Sequence, residues 1–368
     1  MSGALGKAGR SLRTWLGLVL LLGCCLEVGL GCRTARYYAQ AARGQAQILR
    51  RQRPIRAVIA DPATPPELGA KLQLVLELTR FAETNLGLPS KGNYLAYADL
   101  GRPFAVWNVY AAPEFDLKPK SWWYPLVGRL DYRGYFSEAQ ARDYAAQLKA
   151  QGYDVHLGGV TAYSTLGWFK DPVLNTFITD PELDLAELLF HELTHRRLFL
   201  SGDTDFNEAL ATAVAEEGVR RWLHHHGTPE SRRLFEEDLR RSDEFVALLA
   251  QARPRLEQIY ARPLTANGLP ERRREKAAIQ DSLRKDYARL RAQWGGKDHY
   301  DRWFAQSLNN AQLNTIDTYH RLVPAFRELI RERHGNLEAF FKEARTIGRK
   351  QKAPRHAELE KWRQRAPH

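Results

Sequence analysis

Past residue 32 the sequence contains no cysteine, and past residue 1 no methionine. The three cysteines, Cys24, Cys25 and Cys32, all lie in the first tenth of the chain. A disulfide framework and a cysteine-ligated zinc site are therefore excluded from the folded body. Long apolar runs are also missing. The longest near the N-terminus, Trp15 to Leu22, falls short of the roughly 20 residues a membrane-spanning helix needs. What is present is ordinary globular composition, with 44% hydrophobic and 27% charged residues in 368. That excludes wholesale disorder, collagen-like repeats and a polytopic membrane protein. The balance is basic, 55 Lys and Arg against 43 Asp and Glu, a formal charge of +12. Basic runs such as Arg272-Arg273-Arg274 are interspersed with acids, and no nucleic-acid reader motif accompanies them. They read as solvated helix faces, so no nucleic-acid partner is expected.

The N-terminus reads as an export signal. Lys7, Arg10 and Arg13 precede the short apolar run, and small residues and cysteines follow it. A small residue before cysteine is the pattern of a bacterial lipoprotein, whose signal is removed to leave an acylated cysteine. Several acyl chains anchor firmly where one binds reversibly. Gly23-Cys24 fits the local pattern and Cys32 fits the spacing to the folded chain. Cleavage without lipidation and an uncleaved anchor are the alternatives. The resulting division is a signal over 1–31, one folded unit over 32–347, and a basic tail over 348–368. The unit has an α/β portion (33–180) and a helical portion (181–347). The tail, Pro-containing past Ala344, is expected to fray.

Patterning predicts helices over 36–53, stopped by Pro54, and over 65–86, with Leu68, Leu72, Val75, Leu76 and Thr79 as one stripe. Residues 93–135 place aromatics among glycine and proline, as short strands do. A helix over 137–151 and a strand over 153–164 follow. Beyond Asp180 the chain reads as helices over 184–200, 207–226, 229–251, 271–293, 300–322 and 335–347. The fold class is α+β, mainly helical, with a small β-rich region before the helical C-terminal half.

The sequence His191-Glu192-Leu193-Thr194-His195 carries the chemistry. Histidines four apart share one helix face and reach one ion, while the glutamate one residue round is free to act as a base. Zinc so held keeps an open coordination position and makes water more acidic. The flanking residues Leu183, Leu185, Leu188, Leu189 and Phe190 mark a buried helix, where polar groups are costly unless paired or ligated. A third ligand is needed. If Gly202 ends this helix and Asp203-Thr204-Asp205 starts the next, a hairpin brings Glu208 beside the pair. Asp205-x-x-Glu208 also reads as a capping box. Glu216 and Glu217 are weaker ligand candidates. Asp203, Asp205 and Asn207 are candidates to hold a histidine N–H. The extended stretch Val160 to Phe169 is either a core strand or an edge that pairs with a peptide substrate. His224-His225-His226, at a helix end, reads as solvated.

These residues resemble the gluzincin class of zinc metallopeptidases. The chain as a whole resembles the bacterial putative aminopeptidase family, through Tyr37-Tyr38, Tyr132-Arg133-Gly134-Tyr135-Phe136, Ala162 to Pro172, Phe190 to His195, Asp203 to Glu208 and Leu308-Asn309-Asn310-Ala311. The resemblance implies a gluzincin-like fold, with His191, His195 and Glu208 binding Zn(2+) and Glu192 as general base. Tyr163, Tyr319 and His320 are the candidates for an oxyanion or substrate donor. It also implies lipidation at Cys32, with Cys24 the alternative, because a Tyr-Tyr pair follows the acylated cysteine in that family. The expected activity is peptide hydrolysis by an aminopeptidase in the bacterial cell envelope. The protein would face the periplasm from the outer rather than the inner membrane, with a peptide or protein as substrate. The Gly-x-Met-Glu-Asn motif of well-known gluzincin aminopeptidases is absent. An envelope endopeptidase and a non-catalytic zinc-binding scaffold are therefore the competing readings.

Overall fold

The computed structural model describes residues 31–124, 128–162, 169–263, 268–296 and 300–366, apart from the side chains of 31–33 and 317–319. The export signal, with Cys24, and Tyr163 lie outside the described residues. The side chains of Cys32 and Tyr319 lie outside the described side chains.

The order of elements is α1 (Gly31–Arg51), β1 (Gln52–Pro54), α2 (Ile55–Ile59), α3 (Pro66–Asn85), β2 (Ala96–Ala98), β3 (Val106–Pro113), β4 (Trp122–Tyr124), β5 (Gly128–Leu130), β6 (Arg133–Tyr135), α4 (Glu138–Ala150), β7 (Tyr153–Val160) and β8 (Val173–Leu174). Helices then follow almost without interruption: α5 (Glu182–Arg197), α6 (Thr204–His226), α7 (Pro229–Ala261), α8 (Gly268–Gln293), α9 (Asp301–Phe304), α10 (Asn310–His320), α11 (Val323–Glu332), α12 (Leu337–Gly348) and α13 (Lys352–Arg363). The protein is α+β and mainly helical.

The strands make three small sheets, β1-β2-β8, β6-β3-β7 and the hairpin β4-β5. Central β3 pairs antiparallel on both sides, Trp107 with Tyr135 and Val109 with Leu157. The apolar residues of this sheet bury against Ala141, Ala145 and Leu148 of α4. In α3 the stripe forms as the spacing predicts. Leu72, Val75 and Thr79 are buried, and Leu68 and Leu76 pack at their edge. The main core gathers α3, α5, α6, α11, α12 and α13 around Phe190, Phe206, Phe326, Phe340 and Phe341. A second core, centred on Phe245, Leu256, Ile279, Leu283 and Tyr287, joins α7 to α8. Among the described residues no helix is long and apolar enough to cross a membrane.

Four elements of the helical half differ from the sequence pattern. Helix α11 (Val323–Glu332) forms between two predicted helices, where none is expected. The seventh helix runs on to Ala261 with Pro254 inside it; Leu256 and Ile259, buried beyond the proline, continue its apolar stripe. The predicted 300–322 helix breaks after Phe304 and resumes at Asn310. The cause is partly local and partly distant: Asn309 Oδ1 accepts from the Gln312 amide at 3.0 Å, and Asn310 Nδ2 donates to the far-off carbonyls of Pro113 and Glu114 at 3.0 Å each. Finally, the tail expected to fray is ordered. Helix α12 extends to Gly348, and α13 seats Leu359 in the core at 0% exposure.

This last contact makes a test. Replacing Leu359 with Ala should lower stability by about 2–5 kcal/mol in urea unfolding, the cost of emptying a filled core site. A loss below about 0.5 kcal/mol would mean that α13 does not belong to the cooperative core.

Candidate metal centre

Helix α5 starts after Pro181 and buries Leu185, Ala186, Leu189, Phe190, Leu193, Thr194 and His195. This stripe puts the two histidines one turn apart at the α6 interface. The helix stops at Leu198, whose backbone is extended (φ −148°). Gly202 turns the loop in the left-handed region (φ +80°), which glycine alone enters without strain. Asp203 then caps α6, its carboxylate accepting from the Phe206 amide. Asn207 fixes the loop from the other side. Its Oδ1 accepts from Leu200 N and its Nδ2 donates to Leu200 O, both at 2.8 Å. Gly218 lets the helices close up, since a Cβ there would fall 2.6 Å from the Phe190 ring.

The hairpin brings Glu208 onto the histidine pair. His191 Nε2 lies 3.1 Å from Glu208 Oε2 and 3.2 Å from His195 Nε2. His195 Nε2 lies 3.8 Å from the same carboxylate oxygen. An ion bound tetrahedrally by nitrogen and oxygen at about 2.0–2.1 Å holds its ligand atoms about 3.3–3.4 Å apart. The three separations have that size, and the donor set, two imidazoles and a carboxylate, suits a borderline cation such as zinc. Among the described residues this is the one group of three or more His, Cys, Asp or Glu side chains whose donor atoms converge closely enough to hold a metal ion.

Burial and charge push the titrations of these groups apart. Burial drives the His195 imidazole down to about 4, so it is neutral and ready to ligate near pH 7. Burial also opposes charge on His191, but the hydrogen bond and charge of Glu208, with Glu192 and Glu187, hold its pKa above 6.5. Glu208, despite burial, stays below the usual carboxylate value because His195 and His191 face it. Burial lifts Glu192 to about 7, Glu208 and Asp171 adding to the shift and His191 opposing it. The two carboxyl groups of the site thus have opposite tendencies, Glu208 held ionised and Glu192 pushed towards its protonated form.

The other sequence candidates take different places. The capping-box reading is not met, because Asp203 rather than Asp205 caps the helix. Glu216 is buried in a two-pronged pair with Arg327, at 2.5 and 2.6 Å, and Glu217 binds Arg221 at 2.8 Å. Neither belongs to the converging triad. Asp203 accepts from Arg355 and sits 2.9 Å from His356 Nε2, and Asp205 lies 3.5 Å from Arg321. Asn207 holds Leu200. None of the three therefore orients a ligand imidazole: His195 Nδ1 is buried with no hydrogen-bond partner among the described residues. His320, at the end of α10, feels the charge of His191, and burial lowers its pKa to about 4. His224, His225 and His226 are exposed at the end of α6.

Three neighbours escaped sequence reasoning. Glu187, one turn before His191, is lifted to about 7 by burial and by Glu216. Tyr94 is buried, and its phenol is raised by burial, then by Glu192 and Asp171. Asp171 is tied to the same turn, its carbonyl accepting from Tyr94 N at 2.8 Å and its amide donating to Asn93 Oδ1 at 2.7 Å. No local spacing could reveal contacts across 78 residues.

A family model described as putative aminopeptidase matches residues 36–359. No curated protein and no solved structure matches the chain. The match covers most of the chain, so it belongs to the putative aminopeptidase family.

Metal binding to this triad must displace a proton from His191. Affinity should therefore be lower below the raised His191 pKa and rise about tenfold per pH unit until that ring is neutral. Competition with a fluorescent chelator at pH 5.5 and pH 8 measures this. Equal affinities at both would show that His191 gives up no proton on binding.

Proposed function

From that family membership we propose a zinc-dependent aminopeptidase of the bacterial cell envelope, with His191, His195 and Glu208 as zinc ligands and Glu192 as general base. The observation that carries the reading is the convergence of three donor atoms with a second carboxyl group, Glu192, next to the first histidine in the same turn. A structural metal site needs only the ligands; the extra carboxyl group argues for chemistry over a scaffold role. A divalent ion there supplies Lewis acidity that polarises a peptide carbonyl and makes water a better nucleophile near neutral pH.

The side chains do the rest. Glu192 takes the proton of the attacking water and hands it to the departing amine, a role suited to a carboxyl group poised near 7. His195, kept neutral by burial, stays available as a ligand rather than competing for that proton. Glu208 stays ionised and holds the first ring by a direct contact of 3.1 Å. Tyr94 and His320 lie within electrostatic reach of Glu192 and of His191 respectively. Tyr94 thereby joins Tyr163, Tyr319 and His320 as a candidate to donate to the developing oxyanion.

The proposed anchor is an acylated Cys32, with the protein facing the periplasm from the outer membrane. In its favour, α1 begins at Gly31 and is docked to the body within a few residues. Tyr37 packs edge-on against Tyr135 at 5.4 Å, and the Arg133 guanidinium lies 3.9 Å from its ring centre. A lipid at Cys32 would thus hold the catalytic body close to the bilayer.

Glu192→Gln should keep one metal ion per chain and lower kcat/KM for peptides by about 100-fold or more. Peptide hydrolysis with metal analysis on the same sample checks this; undiminished turnover would end the assignment of the base.

A further inference from the structure

Helix α1 holds five arginines in 21 residues and no aspartate or glutamate. Its inner face is fixed. Gln40, Gly44 and Ile48 are buried. Gln40 Oε1 accepts from Phe136 N at 3.0 Å, and a Cβ at Gly44 would fall 2.0 Å from the Phe136 ring. The helix is therefore held against rolling, and one face of it stays turned outward.

That outward face is sorted by chemistry. Arg36, Arg43 and Arg50 follow at seven-residue intervals, which two helical turns bring to within about 20° of one line at each step. All three are exposed, and together they span about 21 Å of the axis. None has a hydrogen bond, ion pair or ring contact among the described residues. Exposed arginines of later helices differ: Arg233 pairs with Glu230 and Arg363 with Glu360. Beside the stripe lie Ala35, Ala39 and Ala42, all exposed. Beyond them are Tyr38 and Leu49, 42% and 38% exposed. Small apolar side chains thus lie between a cationic edge and an apolar one, the pattern of a helix that rests in the plane of a bilayer interface.

The surroundings agree. Helix α1 begins one residue before Cys32, so an acyl chain there would bring its first turn to the bilayer. The β4-β5 hairpin packs Tyr124 on Tyr37 at 6.0 Å, and beside these same turns it carries Trp123 at 64% exposure. Tryptophan and tyrosine concentrate at membrane–water interfaces. We infer that α1 lies along an anionic bilayer surface, with Tyr38, Leu49 and the alanines at the acyl boundary and Arg36, Arg43 and Arg50 on lipid phosphates. The choice of a bilayer over another polyanion rests on the anchor reading above. The two attachments differ in what they require. Acyl chains insert by apolar contact whatever the headgroup, whereas the arginine stripe needs negative lipid. The stripe would fix the orientation of the body, which a lipid tether alone leaves free.

The test places a photoreactive benzoylphenylalanine at position 39 of the full chain, as an exporting bacterium makes it. The protein is added to vesicles of phosphatidylcholine, alone or with about a third phosphatidylglycerol, and lipid adducts on the α1 peptide should be about tenfold more frequent on the anionic vesicles. Salt at about 1 M, which cuts the Debye length to about 3 Å, should remove the difference. So should joint replacement of Arg36, Arg43 and Arg50 by Gln, at unchanged Tm. Equal labelling on the two vesicles, none on either, a difference that survives the three replacements, or a protein–protein adduct in place of lipid would overturn the inference. Mass analysis of Cys32 tests the anchor separately. A chain without acyl mass would end the anchor reading, while the anionic preference would stand.

Discussion

The contact between Glu208 and the two histidines exists only because the hairpin from α5 to α6 is held in one register. A slip of one residue on either helix would rotate one of these side chains by about 100° and take it out of the triad. The register is set by polar groups rather than by apolar shape. Asn207 closes the loop on Leu200 at 2.8 Å in both directions, and Asp203 caps α6. Gly218 then lets α6 lie directly on Phe190.

That arrangement concentrates charge in an apolar core, and the rest of the helical half is arranged to neutralise it. Asp203 is 1% exposed and would be costly alone. Burial pushes its pKa up, but His356, Lys352 and Arg355 outweigh this and keep it ionised. Two of those partners, Arg355 and His356, project from α13, so the last helix of the chain stabilises the cap of the helix that carries Glu208. Arg355 also donates to the carbonyls of Gly348 and Lys350 at 2.9 and 2.7 Å, fixing its own approach. A turn or two further along α6, Glu216 is matched by Arg327, which also binds Asp243 at 2.7 Å. Removing one partner of such a pair leaves an uncompensated charge, which costs about 3–5 kcal/mol. Glu192 and Glu187 differ: neither has an ion pair among the described residues, and burial raises both to about 7.

Local periodicity made much of this legible. Histidines at i and i+4, the apolar residues before them and the turn at Gly202 were enough to place His191, His195 and Glu208 in one hairpin. The stripe of α3 and the strand after Gly152 followed from spacing in the same way. What stayed hidden depends on distance along the chain. The partners of Asp203 lie 152 and 153 residues away, and a basic, Pro-containing tail gives no sign that Leu359 will be buried. The break before Asn310 reflects carbonyls of the 113–114 turn that its side chain must satisfy, a demand set by another part of the fold.

The central claim is that one ion sits between two imidazoles and a carboxylate. X-ray absorption at the edge of the metal that copurifies with the full-length protein addresses it most directly. The predicted spectrum shows one ion per chain with nitrogen and oxygen neighbours at about 2.0–2.1 Å and the outer-shell scattering of two imidazole rings. A spectrum without histidine scattering, or one that is unchanged when His191 and His195 are both replaced by alanine, would contradict it.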